Sequence, residues 1–229
     1  MSHFYDPFSV VPGFDLEERV RARATACDIG LTDGAVAAVA HHARAVLREN
    51  QQLHLTSVTE PEEFFERHIG ESLEGAAMLP PDAAGLYLDI GSGNGYPGLP
   101  LAAARAGLQL VLAEASVRKA EFLRAVVRDA PFPGASVHET QVQRAADLAG
   151  LDAARLITSR ALGGWPKILP RLRPSLAAAG EILVWAGSEA EAISRREVWR
   201  RYLLADRRAL PGREQSWIWR FRPAPSPAP

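Results

Sequence analysis

The segment that most restricts the possible folds is residues 86–104, which read LYLDIGSGNGYPGLPLAAA. It opens on an apolar run with the length of a buried strand and closes on an Ala/Leu-rich run of helical length. Gly91, Gly93 and Gly95 lie between the two runs. This order predicts a strand, a glycine loop and a helix. A loop without Cβ atoms lets a ligand lie across its backbone, and the free N–H groups of the helix point towards that ligand.

The spacing of these glycines indicates which kind of ligand the loop accepts. It is G-x-G-x-G rather than the dinucleotide pattern G-x-G-x-x-G/A, and Asp89 stands one residue before the strand ends. We interpret this variant as favouring a nucleoside such as S-adenosylmethionine over a pyrophosphate. Because the chain contains 18 glycines, the three could also be ordinary turn residues.

A second strand is predicted over residues 109–114, QLVLAE, and it ends in Glu114. An open α/β fold places an acid for ribose hydroxyls about 20 residues beyond the glycines, which is where Glu114 stands. A carboxylate can accept two hydroxyl hydrogen bonds at once. The alternative is that Glu114 only occupies the turn before Ser116, which can cap the next helix.

Composition predicts an ordinary globular protein of the reducing cytoplasm. The chain has 229 residues, 47% hydrophobic and 23% charged, so it can bury one sizeable core plus an appendage. A single cysteine, Cys27, excludes an internal disulfide and a multi-cysteine metal site. No apolar run has the length of a membrane span, and no export signal opens the chain. We expect no membrane, no metal and a monomer.

The formal net charge of −1 conceals a marked asymmetry. Residues 1–84 carry 6 basic and 14 acidic residues, whereas residues 195–222 carry nine arginines against three acids. A local basic patch is sufficient to bind phosphates. Arg200 and Arg201 are the predicted RNA contacts. The alternative is that these arginines form a solvated face or pair with the acidic N-terminal part.

The chain is predicted to contain a helical part followed by an α/β part. Residues 1–14 predict an extended arm. Helices are predicted from Asp15 to about Ile29, from Thr32 or Asp33 to about Asn50, and after a capping box of Thr59 and Glu62. Further strands are predicted near residues 135–140, 155–160, 181–187, 203–209 and 215–222, with a helix over 188–202. We therefore assign an arm and helical subdomain to residues 1–84, the main domain to 85–222, and a disordered Pro-rich tail to 223–229.

Alternation of strands and helices implies parallel strands with right-handed crossovers, and the last two strands fit a closing antiparallel hairpin. Ligands of such a sheet lie at the carboxyl ends of its strands. The loops at that edge contain Tyr96, Ala115, Ser116, Val142, Gln143 and Arg160. Val142 and Gln143 can bracket an adenine. Arg160, at the end of a buried strand, requires an anion, which is a ligand carboxylate, a phosphate, or an internal acid such as Asp89.

The residue types that the chain lacks narrow the chemistry. Methyl transfer to a pyrimidine C5 requires a thiol nucleophile, and Cys27 lies far upstream in a predicted helix. Exocyclic amine methyltransferases share an Asn/Asp-Pro-Pro-aromatic motif after the fourth strand, where this chain has Thr158-Ser159-Arg160-Ala161. A ring nitrogen with a free lone pair, such as guanine N7, needs no proton removed. Holding the nucleophile, the methyl carbon and the sulfur in line is then sufficient for catalysis.

The segments LDIGSGNGYPGLPLA, EASVRKAEFLRAV and ITSRAL, preceded by LHLTSV and PEEFFERHIGESL, resemble the bacterial 16S rRNA guanine-N7 methyltransferase family RsmG, also called GidB. The resemblance runs from about residue 46 to 187. It implies a Rossmann-like class I methyltransferase fold with a seven-stranded, mostly parallel sheet and an N-terminal helical subdomain. It also implies S-adenosylmethionine as methyl donor and small-subunit rRNA as substrate. The family's cofactor contacts fall on Gly91, Tyr96, Glu114 to Ser116, Val142, Gln143 and Arg160.

Two departures from the family pattern concern the site. Gln143 stands where the family usually has an acid, and Ala186-Gly187 where it has Lys-Gly. Loss of the lysine removes a cation beside the site, which the Arg-rich C-terminal part can replace. The alternatives are a methyltransferase for a small molecule and a cofactor-binding protein that has lost catalysis. A dehydrogenase is disfavoured by the glycine spacing.

Overall fold

The computed structural model describes residues 6–225. The beginning of the predicted arm and the end of the predicted tail lie outside this range. The described part of the arm is not extended, because Pro7–Val10 form a 3-10 helix that the Asp6 side chain caps. Phe8 is buried there, stacked on Phe14 and in edge contact with Phe64. Phe8 therefore joins the described part of the arm to the core.

Seven strands form one sheet in the order β3-β2-β1-β4-β5-β7-β6. Their bounds are β1 Ala84–Ile90, β2 Gly107–Glu114, β3 Ser136–Glu139, β4 Ala154–Arg160, β5 Leu176–Gly187, β6 Tyr202–Ala209 and β7 Ser216–Pro223. Strands β1 to β5 pair in parallel, and β7 pairs antiparallel with both β5 and β6. The strand order reverses between β1 and β4. The sheet confirms the predicted fold class.

The N-terminal helices are α1 Leu16–Ala26, α2 Asp33–Leu53, α3 Pro61–Phe64 and α4 Glu71–Ala77, with a π-helical segment Phe65–Gly70 between α3 and α4. Thr32 caps α2, as predicted, by accepting the N–H of Ala35. The predicted capping box at Thr59 is wrong. Glu60 caps α3 instead and accepts the N–H of Glu63 at 2.8 Å, because the helix begins at Pro61 and Glu60 is the residue directly before it.

The remaining helices are α5 Gly98–Ala104, α6 Val117–Asp129, α7 Trp165–Ile168 and α8 Glu189–Ser194. The predicted helix over 188–202 is too long. Arg196 is extended, and a 3-10 turn Glu197–Trp199 follows. Trp199 is buried between Trp165 and Phe221, and this tertiary contact takes precedence over helix propensity.

The sheet separates two apolar layers. Helices α1 to α6 cover one face, and α7, α8 and the 3-10 segment Leu169–Ser175 cover the other. The N-terminal helices and the first face of the sheet share one continuous core. Within residues 6–225, no helix is long and apolar enough to cross a bilayer.

Candidate active site

A cavity of about 520 Å³ lies at the carboxyl ends of β1, β2 and β4. This volume lies within the range of small-molecule sites, about 300–1,000 Å³. The cavity walls come from segments 55–58, 67–68, 90–94, 113–115, 140–143 and 160–162, together with Tyr96, Lys119 and Arg213. The helical part, the sheet and the late hairpin therefore all contribute to one cleft.

Glu114 joins the two loops that form the floor of the cleft. Its carboxylate accepts the N–H of Gly93 at 2.8 Å through Oε2 and the N–H of Ser116 at 2.7 Å through Oε1. Each oxygen retains a lone pair for a further donor, since a carboxylate offers about four acceptor sites. Glu114 therefore fixes the glycine loop and can still accept ribose hydroxyls.

The glycine loop has a left-handed backbone at each of its three glycines, with φ of +72° at Gly91, +55° at Gly93 and +91° at Gly95. Their surroundings differ. A Cβ at Gly95 would lie 2.8 Å from Nε2 of His42, whereas a Cβ at Gly93 would meet only the Gly91 carbonyl at 3.8 Å. Gly95 is therefore required by packing, and Gly93 faces the cleft.

Alanine at these two glycines is expected to separate stability from ligand binding. Gly95→Ala will lower the melting temperature strongly, because the new Cβ overlaps His42 and the φ is strained. Gly93→Ala will cost only about 1–2 kcal/mol of unfolding free energy, the price of the left-handed conformation, but will weaken S-adenosylmethionine binding. Thermal unfolding and calorimetric titration of both variants check this. Equal donor affinity in wild type and Gly93→Ala would place the ligand elsewhere.

Tyr96 is held in an aromatic stack. Its ring lies between His42, at 4.3 Å between centroids, and His68, at 4.9 Å, and Phe64 contacts it edge-on. Its buried hydroxyl has no hydrogen-bond partner among residues 6–225, and burial raises its pKa. Tyr96 thus presents a neutral O–H group to the cleft, fixed by two elements of the helical part.

The two histidines of this stack are neutral. Burial lowers the pKa of His42 to about 4, and its Nε2–H donates to the Asn94 carbonyl at 2.7 Å. Burial and the Arg160 charge lower the pKa of His68 to about 2. His68 Nδ1 accepts from Arg160 Nη2 at 3.0 Å, so its Nε2–H donates to the Thr56 hydroxyl at 2.9 Å. Both ring nitrogens of His68 are therefore occupied.

Arg160 and Arg213 share the carboxylate of Glu71. Arg213 Nη1 donates to Glu71 Oε1 at 2.9 Å, and Arg160 Nη1 lies 3.7 Å from Oε2. Of the three anions that the sequence left open for Arg160, an internal acid is present, but it is Glu71 from α4 rather than the suggested Asp89. Within the described chain Arg160 Nη1 makes no hydrogen bond. Burial lowers the pKa of Arg160, yet two guanidinium groups against one carboxylate leave the wall cationic.

Asp89 lies beneath the glycine loop rather than in the cleft. It is buried, and its Oδ1 accepts from the Thr158 hydroxyl at 2.5 Å. A Cβ at Gly98 would lie 2.8 Å from its Oδ2. Burial raises the pKa of Asp89 to about 6. These contacts fit a residue that ties β1 to β4 and to the start of α5.

Most of the predicted cofactor residues meet at the cleft. Its lining includes Gly91, Gly93, Tyr96, Glu114, Ala115, Val142, Gln143 and Arg160. Asp89, Gly95 and Ser116 do not line it. Ser116 contributes its N–H to Glu114 instead. The Asp147 carboxylate accepts the N–H of Gln143 at 2.7 Å and so holds the loop after β3 in place.

The structure does not bring Arg200 and Arg201 to the cleft. They immediately precede β6, whose first residue, Tyr202, pairs with Pro223 at the end of β7. Because β7 is antiparallel to β5, this pairing places both arginines at the amino edge of the parallel strands. Besides Arg160, the described cations that line the cleft are Arg67, Lys119 and Arg213.

Sequence reasoning missed these cations for different reasons. Lys119 follows the end of β2 by only five residues, so its position in the first turn of α6 could have indicated it. Arg213 pairs with Glu71 across 142 residues, and no local signal reveals such a contact.

The model of the rRNA small subunit methyltransferase G family, GidB, matches residues 36–200. This chain belongs to that family. A family member from Sorangium cellulosum is 36% identical over 172 residues, which cover 74% of this chain and 71% of the relative. One from Anaeromyxobacter dehalogenans is 30% identical over 175 residues, covering 76% and 80%.

Solved structures share the fold of this rRNA small subunit methyltransferase G family member. A mutant of MtNAS in complex with S-adenosylmethionine has a TM-score of 0.58 at 16% identity and covers 96% of each chain. The mitomycin 7-O-methyltransferase MmcR has a TM-score of 0.56 at 16% identity, covering 95% of this chain and 70% of its own. These findings confirm the predicted family, the fold, and the class of S-adenosylmethionine-dependent rRNA methyltransferase.

Proposed function

We propose that the cleft binds S-adenosylmethionine between Glu114 and Arg160 and presents its methyl group to guanine N7 of small-subunit rRNA. The observation that carries this proposal is the Glu114 carboxylate, which holds the N–H groups of Gly93 and Ser116 at the floor of the cleft. The proposed substrate would place the protein in the cytoplasm.

The residues of the cleft match the two polar ends of the donor. Glu114 at the end of β2 accepts the ribose hydroxyls. Arg160 at the end of β4 offers a free N–H to the amino-acid carboxylate. The strands β2 and β4 flank β1, so their ends are about 10 Å apart at the usual strand spacing. Val142 and Gln143 border the same cleft from the loop after β3 and would contact the adenine.

When bound, the donor supplies a methyl group that its sulfonium activates for displacement. What the chain must add is a nucleophile held in line, and a proton acceptor only if the nucleophile carries a proton. The two histidines behind Tyr96 are neutral, with His42 donating to Asn94 and both ring nitrogens of His68 engaged. This arrangement supports a target with a free lone pair, which guanine N7 has.

The mouth of the cleft is suited to RNA. Three cations border it. Arg67 comes from the π-helical segment before α4, Lys119 from α6, and Arg213 from the turn between β6 and β7. Arg213 supplies a cation at the cleft wall. This chain has Ala186 at the position where the family usually has a lysine, so that position supplies no cation. Guanidinium groups bind phosphate oxygens and guanine acceptors in two-pronged fashion.

The decisive experiment is methyl transfer with labelled S-adenosylmethionine to small ribosomal subunits from a strain that lacks the modification. We expect label in the small-subunit RNA, with the base identified as N7-methylguanine by mass spectrometry of nucleosides. Label on another base atom would refute the N7 assignment. Donor binding without any transfer would show that this family member has lost catalysis.

A further inference from the structure

A second basic surface lies away from the cleft. Residues 165–180, 195–205 and 220–225 together contain nine basic side chains and one acid, Glu197. Glu181, the buried acid between these segments, is already paired with Arg220 and Arg222. The three segments are the 3-10 stretch before β5, the turn before β6 and the end of β7.

The strand register gives the separation of this surface from the cleft. Arg160 at the cleft pairs with Trp185, Trp185 with Ile218, and Ile218 with Arg208 of β6. Arg201 stands seven residues before Arg208 in the chain. At about 3.3 Å per residue, the two levels are roughly 20 Å apart along the strand direction. The arginines before β6 therefore lie at the opposite edge of the sheet.

Contacts around Tyr202 bring the three segments together. The Tyr202 hydroxyl donates to the Leu169 carbonyl at 3.2 Å, which joins the start of β6 to the 3-10 segment. The charges of Arg173 and Arg201 both act on this hydroxyl and lower its pKa against the larger effect of burial, which raises it. The Arg201 carbonyl accepts the N–H of Ala224 at 2.8 Å and so lies beside the end of β7.

Four side chains of this surface are available to a partner. Arg171, Arg196 and Arg201 are exposed and form no ion pair with the described carboxylates. Arg200 is 77% exposed and approaches only Glu197, at 3.7 Å. Clustered like charges repel one another, and a polyanion removes that repulsion while it releases counterions. A pair as exposed as Arg200 and Glu197 does not neutralise the cluster.

We propose that Arg171, Arg173, Arg196, Arg200, Arg201 and Arg222 form an anchoring surface for the phosphate backbone of small-subunit rRNA, distant from the methylated nucleotide. This inference rests on the proposed function. An RNA that reaches both the cleft and this surface must extend roughly 20 Å beyond the methylated nucleotide. The surface therefore favours the long rRNA of a small subunit over a fragment of a few nucleotides.

The double variant R200E/R201E tests the surface, because neither residue touches the cleft. We would measure its dissociation constant for unmodified small subunits at several salt concentrations, together with KM, kcat and donor affinity. We expect the dissociation constant and KM to rise tenfold or more at low salt. The slope of log affinity against log salt should become shallower by roughly 1.4 to 1.8, at about 0.7–0.9 for each of the two lost phosphate contacts. kcat and donor affinity should not change.

The matched control is R21E/R128E, which makes the same change of charge at two exposed arginines of α1 and α6. It should bind subunits as the wild type does. An RNA fragment of about five nucleotides around the mapped site, roughly 17 Å long at about 3.4 Å per nucleotide, would be too short to reach this surface from the cleft, so it should bind both double variants equally.

Unchanged affinity and salt slope in R200E/R201E would overturn the anchoring surface, as would an equal loss in the control. A loss of subunit affinity without any change in salt slope would indicate a protein neighbour and would also overturn it. If the wild type neither binds nor methylates subunits, the proposed function itself fails. That result is distinct from a wild type that methylates subunits with no contribution from these arginines.

Discussion

Replacing Glu114 by glutamine will lower the affinity for S-adenosylmethionine by a factor on the order of 100. The glutamine turns one oxygen into an NH₂ group, which then faces the N–H of Gly93 or of Ser116, donor against donor. The negative charge that strengthens bonds from ribose hydroxyls is lost as well. Hydrogen bonds to charged groups contribute about 1.5–3 kcal/mol each, so one or two of them account for this loss.

Isothermal titration with S-adenosylmethionine and with its demethylated product measures the effect. Thermal unfolding of the same samples establishes that Glu114→Gln remains folded. Glu121→Gln, at an exposed position on α6, is the control and should bind the donor normally. A folded Glu114→Gln protein with wild-type affinity would remove the basis of the donor-binding proposal.

Replacing Arg160 by glutamine will lower both donor affinity and methyl transfer, each by about 100-fold. The substitution removes a largely buried cation of the cleft wall, which contacts His68 and lies near Glu71. Its Nη1 group, which makes no hydrogen bond within residues 6–225, is the proposed contact of the donor carboxylate. Breaking a buried charge pair from one side costs about 3–5 kcal/mol, so we also expect a lower melting temperature.

Arg155→Gln is the matched control, because Arg155 lies on the same strand at its other end. It should leave donor affinity and turnover intact. A variant of Arg160 that binds S-adenosylmethionine normally but has a raised KM for subunits would assign Arg160 to an RNA phosphate instead. Donor affinity and KM for subunits, measured on the same preparation, therefore show whether Arg160 binds the donor carboxylate or an RNA phosphate.

The local pattern of residues 86–116 was sufficient to predict the floor of the cleft. A strand, a left-handed glycine loop and an acid at the next strand end are set by short-range geometry, and the structure places Gly93 against Glu114 accordingly. The predicted cap of α3 was wrong by one residue, because the side chains of Thr59 and Glu60 can both accept the free N–H groups of the helix.

The features that are set at longer range could not be predicted from the sequence, for a different reason. The position of Arg200 depends on the antiparallel return of β7, and composition alone does not determine which edge of the sheet a basic segment reaches. The acid beside Arg160 comes from α4, which packs on the sheet only in the folded chain. The cleft wall therefore depends on tertiary contacts that no spacing in the sequence reports.

The stack of Tyr96 between His42 and His68 has a consequence for the chain as a whole. The glycine loop is supported by side chains of α2 and of the π-helical segment, and both of these precede the sheet in the sequence. Because synthesis runs from the N-terminus, the supporting helices are made before the glycine loop, and the glycine loop is made before the sheet is complete. Truncating those helices would remove the support of the glycine loop without changing any residue of the sheet. The helical part and the sheet therefore cannot be exchanged independently between relatives.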